Sequence, residues 1–311
     1  MNIYVIIVTF NGMQWIEKCL KSVVNSSVKL DIIVIDNNST DGTVSYIKTQ
    51  YPEVIVLEQE TNLGFGKANN LGMSYALNNN CDYVFLLNQD AYLEVDSIGR
   101  MIEVHKENSE YGILSPIHLN GSGNKLDKNF SSYVAYDSNN FFHRDALKNE
   151  MKPVYDVSFV NAAAWLLPVS TLKIIGGFDP IFFHYGEDDN YCQRVLFHSL
   201  KIGVVSNSYV KHDRENINKR PVLNYRDKLK KTSIGLKLEW GNINKNINEE
   251  IISRGKSIFK KTIRNFILLR FTKGHHYYLE FKLIRSLKKD IYISRNTNTE
   301  KGSHYLIKRN E

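Results

Sequence analysis

Apolar residues come in short, nearly continuous runs at the start of the chain: Ile3–Val8, Leu30–Ile35, Val54–Leu57 and Tyr83–Leu87. Each run is rich in β-branched and aromatic residues and stops at small polar ones, the pattern of a buried strand that delivers its carboxyl end to a loop. Between the runs lie segments of helical spacing, near Met13–Val24, Val44–Thr49, Gly66–Leu77 and Val95–Glu107. The alternation predicts an α/β fold, a Rossmann-like and mostly parallel sheet flanked by helices. The strands show no polar alternation, as expected when both faces of a sheet are covered.

After Ile113–Pro116 the regularity breaks. His118–Tyr155 is rich in Asn, Ser, Gly and aromatic residues and reads as a long insertion over the sheet edge. Apolar residues return at Val157–Pro168, followed by a helical segment, Glu187–Leu200, and a strand, Lys201–Val205. From Asn218 onward the chain reads as helical and basic, so two regions are expected, 1–217 and a helical basic C-terminal region, 218–311. A chain of 311 residues can bury a core of that size.

Charge changes the picture only in the second region. The balance of 40 Lys+Arg against 33 Asp+Glu gives +7, and between Ile251 and Asp290 eleven Lys or Arg stand against Glu280 and Asp290 alone. Lys256–Phe271 interleaves apolar and cationic residues at helical spacing. That pattern suits a helix lying on an anionic membrane surface, and equally a helix that packs its apolar side on the protein. Nothing else resembles a recognition module, so a nucleic-acid partner is not expected. Cys19, Cys81 and Cys192 are far apart and form no C-x-x-C pair, which argues against a disulfide framework or zinc site and for a reducing cytosol. Ile3–Phe10 is too short to span a bilayer, which takes ~20 residues. No positive n-region precedes it, so it reads as the first strand. The expected location is cytoplasmic, peripheral on the cytoplasmic face of the membrane if the basic region attaches there.

Candidate chemistry gathers where the strands end. "VTFNG" closes the first run with Thr9 and Asn11, and "DNNSTDGT" closes the second, with Asp36 at the strand end and Asp41-Gly42-Thr43 offering a turn and a helix N-cap. These residues suit turns. A carboxylate at a strand end can also accept hydrogen bonds from a nucleobase N–H or a ribose hydroxyl, and in open α/β sheets ligands bind along that edge. "TNLGFGKANNLG" follows the third strand: its glycines allow close backbone approach, its helix start offers N–H groups to an anion, and Lys67 adds a charge. The spacing is not G-x-G-x-x-G, which disfavours a dehydrogenase.

"LLNQDA" ends the fourth strand. Asn88 and Asp90, two apart, can point their oxygens to one side, which suits Mg²⁺ or Mn²⁺ or simply a turn. "GGFDPIFFHYGEDDNYCQR" sets Glu187, Asp188 and Asp189 at a helix start behind an aromatic block. Acidic residues favour helix N-termini for electrostatic reasons, and a carboxylate desolvated by rings gains a raised pKa and can act as a general base. His212 in "SYVKHDRE", just beyond the strand Lys201–Val205, is either a packing residue or the completion of a metal shell begun by Asp90.

In this order, "VTFNG", "DNNSTDGT", "NLGFGKANN", "LLNQDA", "FVNAAAWLLP" and "GGFDPIFFHYGEDDNYCQR" resemble the inverting family-2 glycosyltransferases of the GT-A fold. The likeness is nearest their rhamnosyltransferase-like and galactofuranosyltransferase-like branch and covers about residues 1–215. It implies transfer of a sugar from a nucleoside-diphosphate sugar to a hydroxyl of a surface polysaccharide or lipid-linked oligosaccharide. The leading donor is dTDP-rhamnose, and the alternative a UDP-sugar used by a galactofuranosyl- or hexosyltransferase. A catalytically silent nucleotide-sugar binder is the reading outside the enzymes.

By motif position, Thr9, Asn11, Asp36 and Asp41 look like the nucleotide-binding set, and Gly64, Lys67 and Asn70 would line the nucleotide and diphosphate crevice. Asn88 and Gln89 would share the donor site. Asp90 matches the last carboxylate of the family's D-x-D motif, and His212 is similar to the late His that some members place on the same Mg²⁺ or Mn²⁺. Asp188 matches the family's base, with Glu187 holding the acceptor. Two positions depart from the pattern: Asn88-Gln89-Asp90 carries one carboxylate fewer than D-x-D, and Trp165 stands where smaller or aliphatic residues are usual. Trp165 would shape the sugar or acceptor pocket, or belong to the core.

Overall fold

The computed structural model describes residues 1–135, 141–214 and 224–307. Residues 136–140 of the expected insertion, and 218–223 and 308–311 of the expected basic region, lie outside the described residues. Two compact units form: Met1–Asn218 with Lys301–Glu311, and Lys219–Glu300.

The first unit opens with β1 (Ile3–Thr9), α1 (Met13–Val24), β2 (Asp31–Asp36), α2 (Thr43–Gln50), β3 (Ile55–Glu58), α3 (Phe65–Asn78) and β4 (Tyr83–Asn88). It continues through β5 (Ala91–Leu93), α4 (Ser97–Glu107), β6 (Tyr111–Asn120), α5 (Phe130–Tyr133), α6 (Phe142–Lys148) and β7 (Val154–Asp156), and closes with β8 (Ala164–Pro168), α7 (Val169–Ile174), α8 (Glu187–Phe197) and β9 (Lys201–His212). One sheet runs in the order β3-β2-β1-β4-β8-β6-β9-β5, with β7 on β9. Strands β3, β2, β1 and β4 are mutually parallel, β6 and β9 are parallel, and β8, β5 and β7 run against their partners.

The sheet is an α/β sheet flanked by helices, as the alternation predicts. Three details differ from the sequence reading. The insertion holds two short helices and a strand, because Phe130, Phe142 and Tyr155 anchor it in the core. Strand β9 runs on to His212 past a register shift opposite Pro116 and Ile117, so His212 sits within the strand and pairs with Ala91. Short β5 and α7 had no periodic signal of their own.

The core lies in two layers. Ile3, Val5 and Ile7 of β1, with Phe85 and Leu87 of β4, turn to Ile16, Cys19 and Leu20 of α1 and Ile98 and Met101 of α4. Tyr4 and Ile6, with Val84 and Leu86, turn to Ala68 and Met73 of α3 and Tyr191 and Val195 of α8. Successive side chains of a strand point to opposite faces, so a strand buried on both sides needs an unbroken apolar run. Each such side chain contributes about 1.5–3 kcal/mol by leaving water. Cys19, Cys81 and Cys192 are free and buried.

The segment 301–307 packs on the first unit. Gly302 N–H donates to the Ile174 carbonyl (3.0 Å), Gly177 N–H to the His304 carbonyl (2.8 Å) and Ile307 N–H to Ser74 Oγ (2.9 Å). Gly176, at φ +78°, makes room for it, since a Cβ there would stand 2.2 Å from the His304 carbonyl oxygen.

The second unit consists of α9 (Tyr225–Gly241), α10 (Asn248–Ile267) and α11 (Phe271–Thr299). Leu236, Trp240, Ile251, Ile258, Ile284, Leu287 and Ile291 are buried among these helices. The Arg295 guanidinium closes the end of α9, donating to the carbonyls of Trp240 (2.9 Å), Asn242 (2.6 Å) and Lys245 (2.7 Å). Among the described residues no helix is long and apolar enough to cross a membrane.

Helix α3 lies close on β1 because Gly72 has no side chain: a Cβ there would fall 2.5 Å from Ile6 Cγ2. Gly72→Ala is expected to destabilise the protein by about 1–3 kcal/mol through overpacking. Urea denaturation reads this, and an unchanged midpoint would refute the close approach.

Candidate active site

The carboxyl ends of β1, β2, β3, β4 and β9 and the amino end of β8 share one edge of the sheet. Two cavities open there, each of about 360 Å³. The first is lined by Val8, Phe10, Asn37, Asn62, Gly64, Gln89, Asp90 and Phe183, the second by Asn161, Tyr133, Glu187, Asp188, Asp189 and Arg214. Phe65, Asn88 and His184 border both, so the cavities adjoin.

The two polar knots after β1 and β2 are laced to each other. Asn11 Oδ1 accepts from Thr40 N–H (2.9 Å), Ser39 Oγ accepts from Asn11 N–H (2.9 Å), Asp41 accepts from Met13 N–H (3.1 Å), and Thr43 Oγ1 accepts from Gly12 N–H (2.9 Å). Thr9 Oγ1 donates to Gln89 Oε1 (2.6 Å), which also accepts from Phe10 N–H (3.0 Å). Thr9, Asn11 and Asp41 thus tie the loops of the crevice wall to one another, and none of them is among the residues that line the first cavity. The polar groups of closely packed loops satisfy one another before they meet a ligand. Gln89 does both, bracing the β1 loop and lining the first cavity.

Asp36 is buried at the end of β2. Its Oδ2 accepts from Ser39 N–H (2.9 Å), while Oδ1 has no partner. Beside it Asn37, which sequence reasoning passed over, ties β2 to the start of α3: Nδ2 donates to the Gly64 carbonyl (3.3 Å) and Oδ1 accepts from Leu63 N–H (3.2 Å). Gly64, at φ +79°, is among the residues that line the first cavity. Its lack of a side chain lets the Phe178–Gly186 segment cross, since a Cβ would lie 2.0 Å from the Phe183 carbonyl oxygen.

Lys67 and Asn70 are not among the residues that line these two cavities. They line a smaller cavity of about 250 Å³ with Leu63, Ser74, Pro180, Tyr305 and Ile307. Asn70 clamps Phe178 from both sides, Nδ2 donating to its carbonyl (2.8 Å) and Oδ1 accepting from its N–H (2.7 Å). Trp165 is a core residue, fully buried against Phe178 and Tyr191 at ring distances of 6.0 and 5.6 Å. Residues along a strand alternate faces, and Trp165 falls on the α8 side.

The carboxylates meet as the spacing suggests. Glu187, Asp188 and Asp189 form the first turn of α8, entered through Gly186 at φ 96°. Burial pushes the Glu187 carboxyl up to about 7, and the charges of Asp188 and Asp189 push the same way. Burial also raises Asp188, and burial with the Asp188 charge lifts Asp189 to about 6. Glu187 Oε2 and Asn161 Oδ1 are buried without partners. Arg214, just past the quoted His, enters the second cavity with its guanidinium forked on Asp127 at 2.7 and 2.9 Å. It was missed because its pairing depends on a residue 87 positions away.

His212 is buried, and its Nε2 lies 3.4 Å from Asp90 Oδ1. Adjacent ligands on an octahedral ion with bonds of 2.0–2.1 Å stand about 3 Å apart, so the pair fits two places on one such ion. Among the described residues no group of three or more His, Cys, Asp or Glu side chains is placed to hold a metal. The remaining places on such an ion would fall to water or phosphate oxygens, the usual habit of Mg²⁺.

The fold and this edge define a member of a known class. Residues 4–165 match the model of Glycosyl transferase family 2, and the chain belongs to that family. It is 28% identical over 131 residues to a poly(ribitol-phosphate) beta-glucosyltransferase of Bacillus spizizenii, covering 40% of this chain and 20% of that protein. The chain thus spans a fifth of the length of that relative. Among solved structures it is similar to S. aureus TarS 1-349 in complex with UDP, with TM-score 0.52, 14% identity, and 93% of this chain and 92% of that one covered. It is also similar to the mannosyltransferase PcManGT from Pyrobaculum calidifontis in complex with GDP-Man and Mn²⁺, with TM-score 0.56, 15% identity and coverage of 79% and 65%. At such identity the two structures speak for the fold alone.

The raised Glu187 carboxyl makes stability depend on pH. Between its ordinary 4.5 and about 7 the folded protein keeps a proton that the unfolded chain has released, so stability falls as pH rises through that window. Glu187→Gln should flatten the slope, leaving the part that Asp188 and Asp189 contribute, and gain on wild type by about 3 kcal/mol above neutrality. Denaturant midpoints at low and high pH check this, and equal slopes in the two proteins would contradict it. Asn70→Ala should lower stability by about 1–3 kcal/mol, since it strands the buried Phe178 amide. Unchanged stability with weakened nucleotide binding would put Asn70 back in the crevice.

Proposed function

We propose that this chain transfers a sugar from a nucleoside diphosphate to a hydroxyl of a polysaccharide or lipid-linked oligosaccharide, with inversion at the anomeric carbon. The observation that carries the reading is the adjoining pair of cavities across Asn88 and His184, with strand ends on one side and three crowded carboxylates on the other. The first takes the donor. Asp36 Oδ1, buried without a partner at the end of β2, would accept from the base or ribose once the donor is seated, and the Phe65 end of α3 faces the donor with its dipole. The second takes the acceptor.

Single displacement needs one base and no covalent nucleophile. Asp188 takes the proton from the acceptor hydroxyl as the oxygen attacks the anomeric carbon and the diphosphate leaves from the opposite face. Burial brings its pKa closer to neutral pH, where a base transfers protons efficiently. Glu187 in its protonated form donates a hydrogen bond to the acceptor. Arg214 counterbalances Asp188 electrostatically and, fixed by Asp127, walls the pocket. Asp90 and His212 would hold Mg²⁺ or Mn²⁺, which when bound neutralises charge on the leaving diphosphate.

For the donor, the motif order supports dTDP-rhamnose, with a UDP-sugar the alternative. Release of free nucleoside diphosphate over a panel of dTDP-, UDP- and GDP-sugars separates them. Asp188→Asn should slow turnover of the accepted donor by about 10²–10⁴-fold, with nucleotide affinity retained. Nucleotide binding without turnover across donors and acceptors would leave a silent binder and remove the transferase reading.

A further inference from the structure

Helix α10 buries one stripe of side chains and leaves an adjacent apolar stripe uncovered. Ile251, Ile258, Thr262 and Asn265 are buried. Ile252, Phe259, Ile263, Phe266 and Ile267 recur at the same helical spacing on the adjacent face and stay 39–74% exposed. The exposed stripe continues past the helix end into the connection to α11, where Leu269 is 73% and Phe271 61% exposed. Leu269 has φ +53°, a conformation that Asn and Gly adopt more readily. A polar residue would suit this turn better in water, so the apolar side chain at the tip calls for another explanation.

Charge identifies what the tip meets. From Lys256 to Leu279 the chain has Lys256, Lys260, Lys261, Arg264, Arg270 and Lys273 and no Asp or Glu. None of these six makes an ion pair among the described residues. Lys260 and Arg264 line an open groove of about 370 Å³ with Ile263, Ile267 and Leu268, so cations and apolar groups share one surface. A bilayer accepts protruding apolar side chains without a matching shape, and an anionic leaflet attracts the cations around them.

We propose that the α10–α11 tip docks on an anionic membrane surface, with Ile267, Leu268, Leu269 and Phe271 entering the boundary between headgroups and acyl chains. Lys260, Arg264, Arg270 and Lys273 lie on the lipid phosphates, their stems alongside the apolar wedge. The element rests on the membrane and does not span it, since no described helix is long and apolar enough to cross.

Cosedimentation of the full chain with phosphatidylcholine vesicles, with and without phosphatidylglycerol, at low and high salt, tests this. Binding to the anionic vesicles should be more than about tenfold tighter than to neutral ones and weaken with salt, each cation being worth about fivefold. Ile267→Ser with Leu269→Ser, and separately Arg264→Glu with Arg270→Glu, should each lower it more than about tenfold, with helix content by circular dichroism unchanged. In a Phe271→Trp variant, Trp emission should shift to the blue on anionic vesicles. No vesicle binding, equal binding to both vesicle types, or binding indifferent to both double variants would overturn the proposal. So would loss of a dimer in the apolar variant, which would make the stripe a contact between copies. No sugar donor is present, so the outcome is independent of the transferase reading.

Discussion

A sheet covered on both faces leaves polar chemistry only its rims. In this protein β1, β2 and β4 have no solvent side, because Ile6 and its neighbours face α3 and α8 while Val5 and Ile7 face α1 and α4. Polar groups must therefore collect where the strands stop, and Asp36, Asn88 and Asp90 do. The same constraint brings helix N-termini to that rim, since α3 and α8 pack on one face with their first turns beside Asn88. Gly64 and Gly66 let the Phe178–Gly186 segment cross the start of α3 at backbone distance.

The crowding of three carboxylates at the start of α8 sets two effects against each other. The helix N-terminus favours negative charge, by up to about 2 kcal/mol in partly buried settings. Burial and mutual repulsion oppose it, and they win, because all three carboxyls sit above their ordinary range. A chain selected for stability alone would have placed one cap residue there. Nearby, the Arg214 fork and the Phe130 amide hold Asp127 down at about 2 even though burial pushes it upward, so a carboxylate fixed as an anion holds Arg214 in the lining beside a group that can take up protons.

Much of the fold was legible because strand and helix periods are local properties of the chain. Four parallel strands and their helices could be read from apolar runs alone, and the acidic first turn of α8 from its spacing. What could not be read depends on contacts distant in sequence. Asn70 belongs to a clamp 108 positions away, Asn11 and Asp41 to a lace between two loops, and Trp165 to the face its register assigns. A motif names the loop in which a residue lies, and only packing decides which way it turns. Arg214 and Asn37 went unnoticed for the same reason, since neither type is diagnostic until its partner is known. The length of β9, which sets His212 beside Asp90, likewise depends on pairing with β6 and β5.

The docking of 301–307 on the first unit has a consequence for synthesis. The peptide that seats against Ile174, Gly177 and Ser74 is made after the whole of 219–300, so the first unit lies unfinished on the ribosome while the helices of the second are added. At about 5–20 residues per second that interval is on the order of ten seconds. Through it the Gly176–Gly177 backbone and the apolar seat of Leu306 stay open to water and to other nascent chains. Vectorial translation thus makes the contact with 301–307 late in time, and the first unit closes only when that segment has followed the helices of the second.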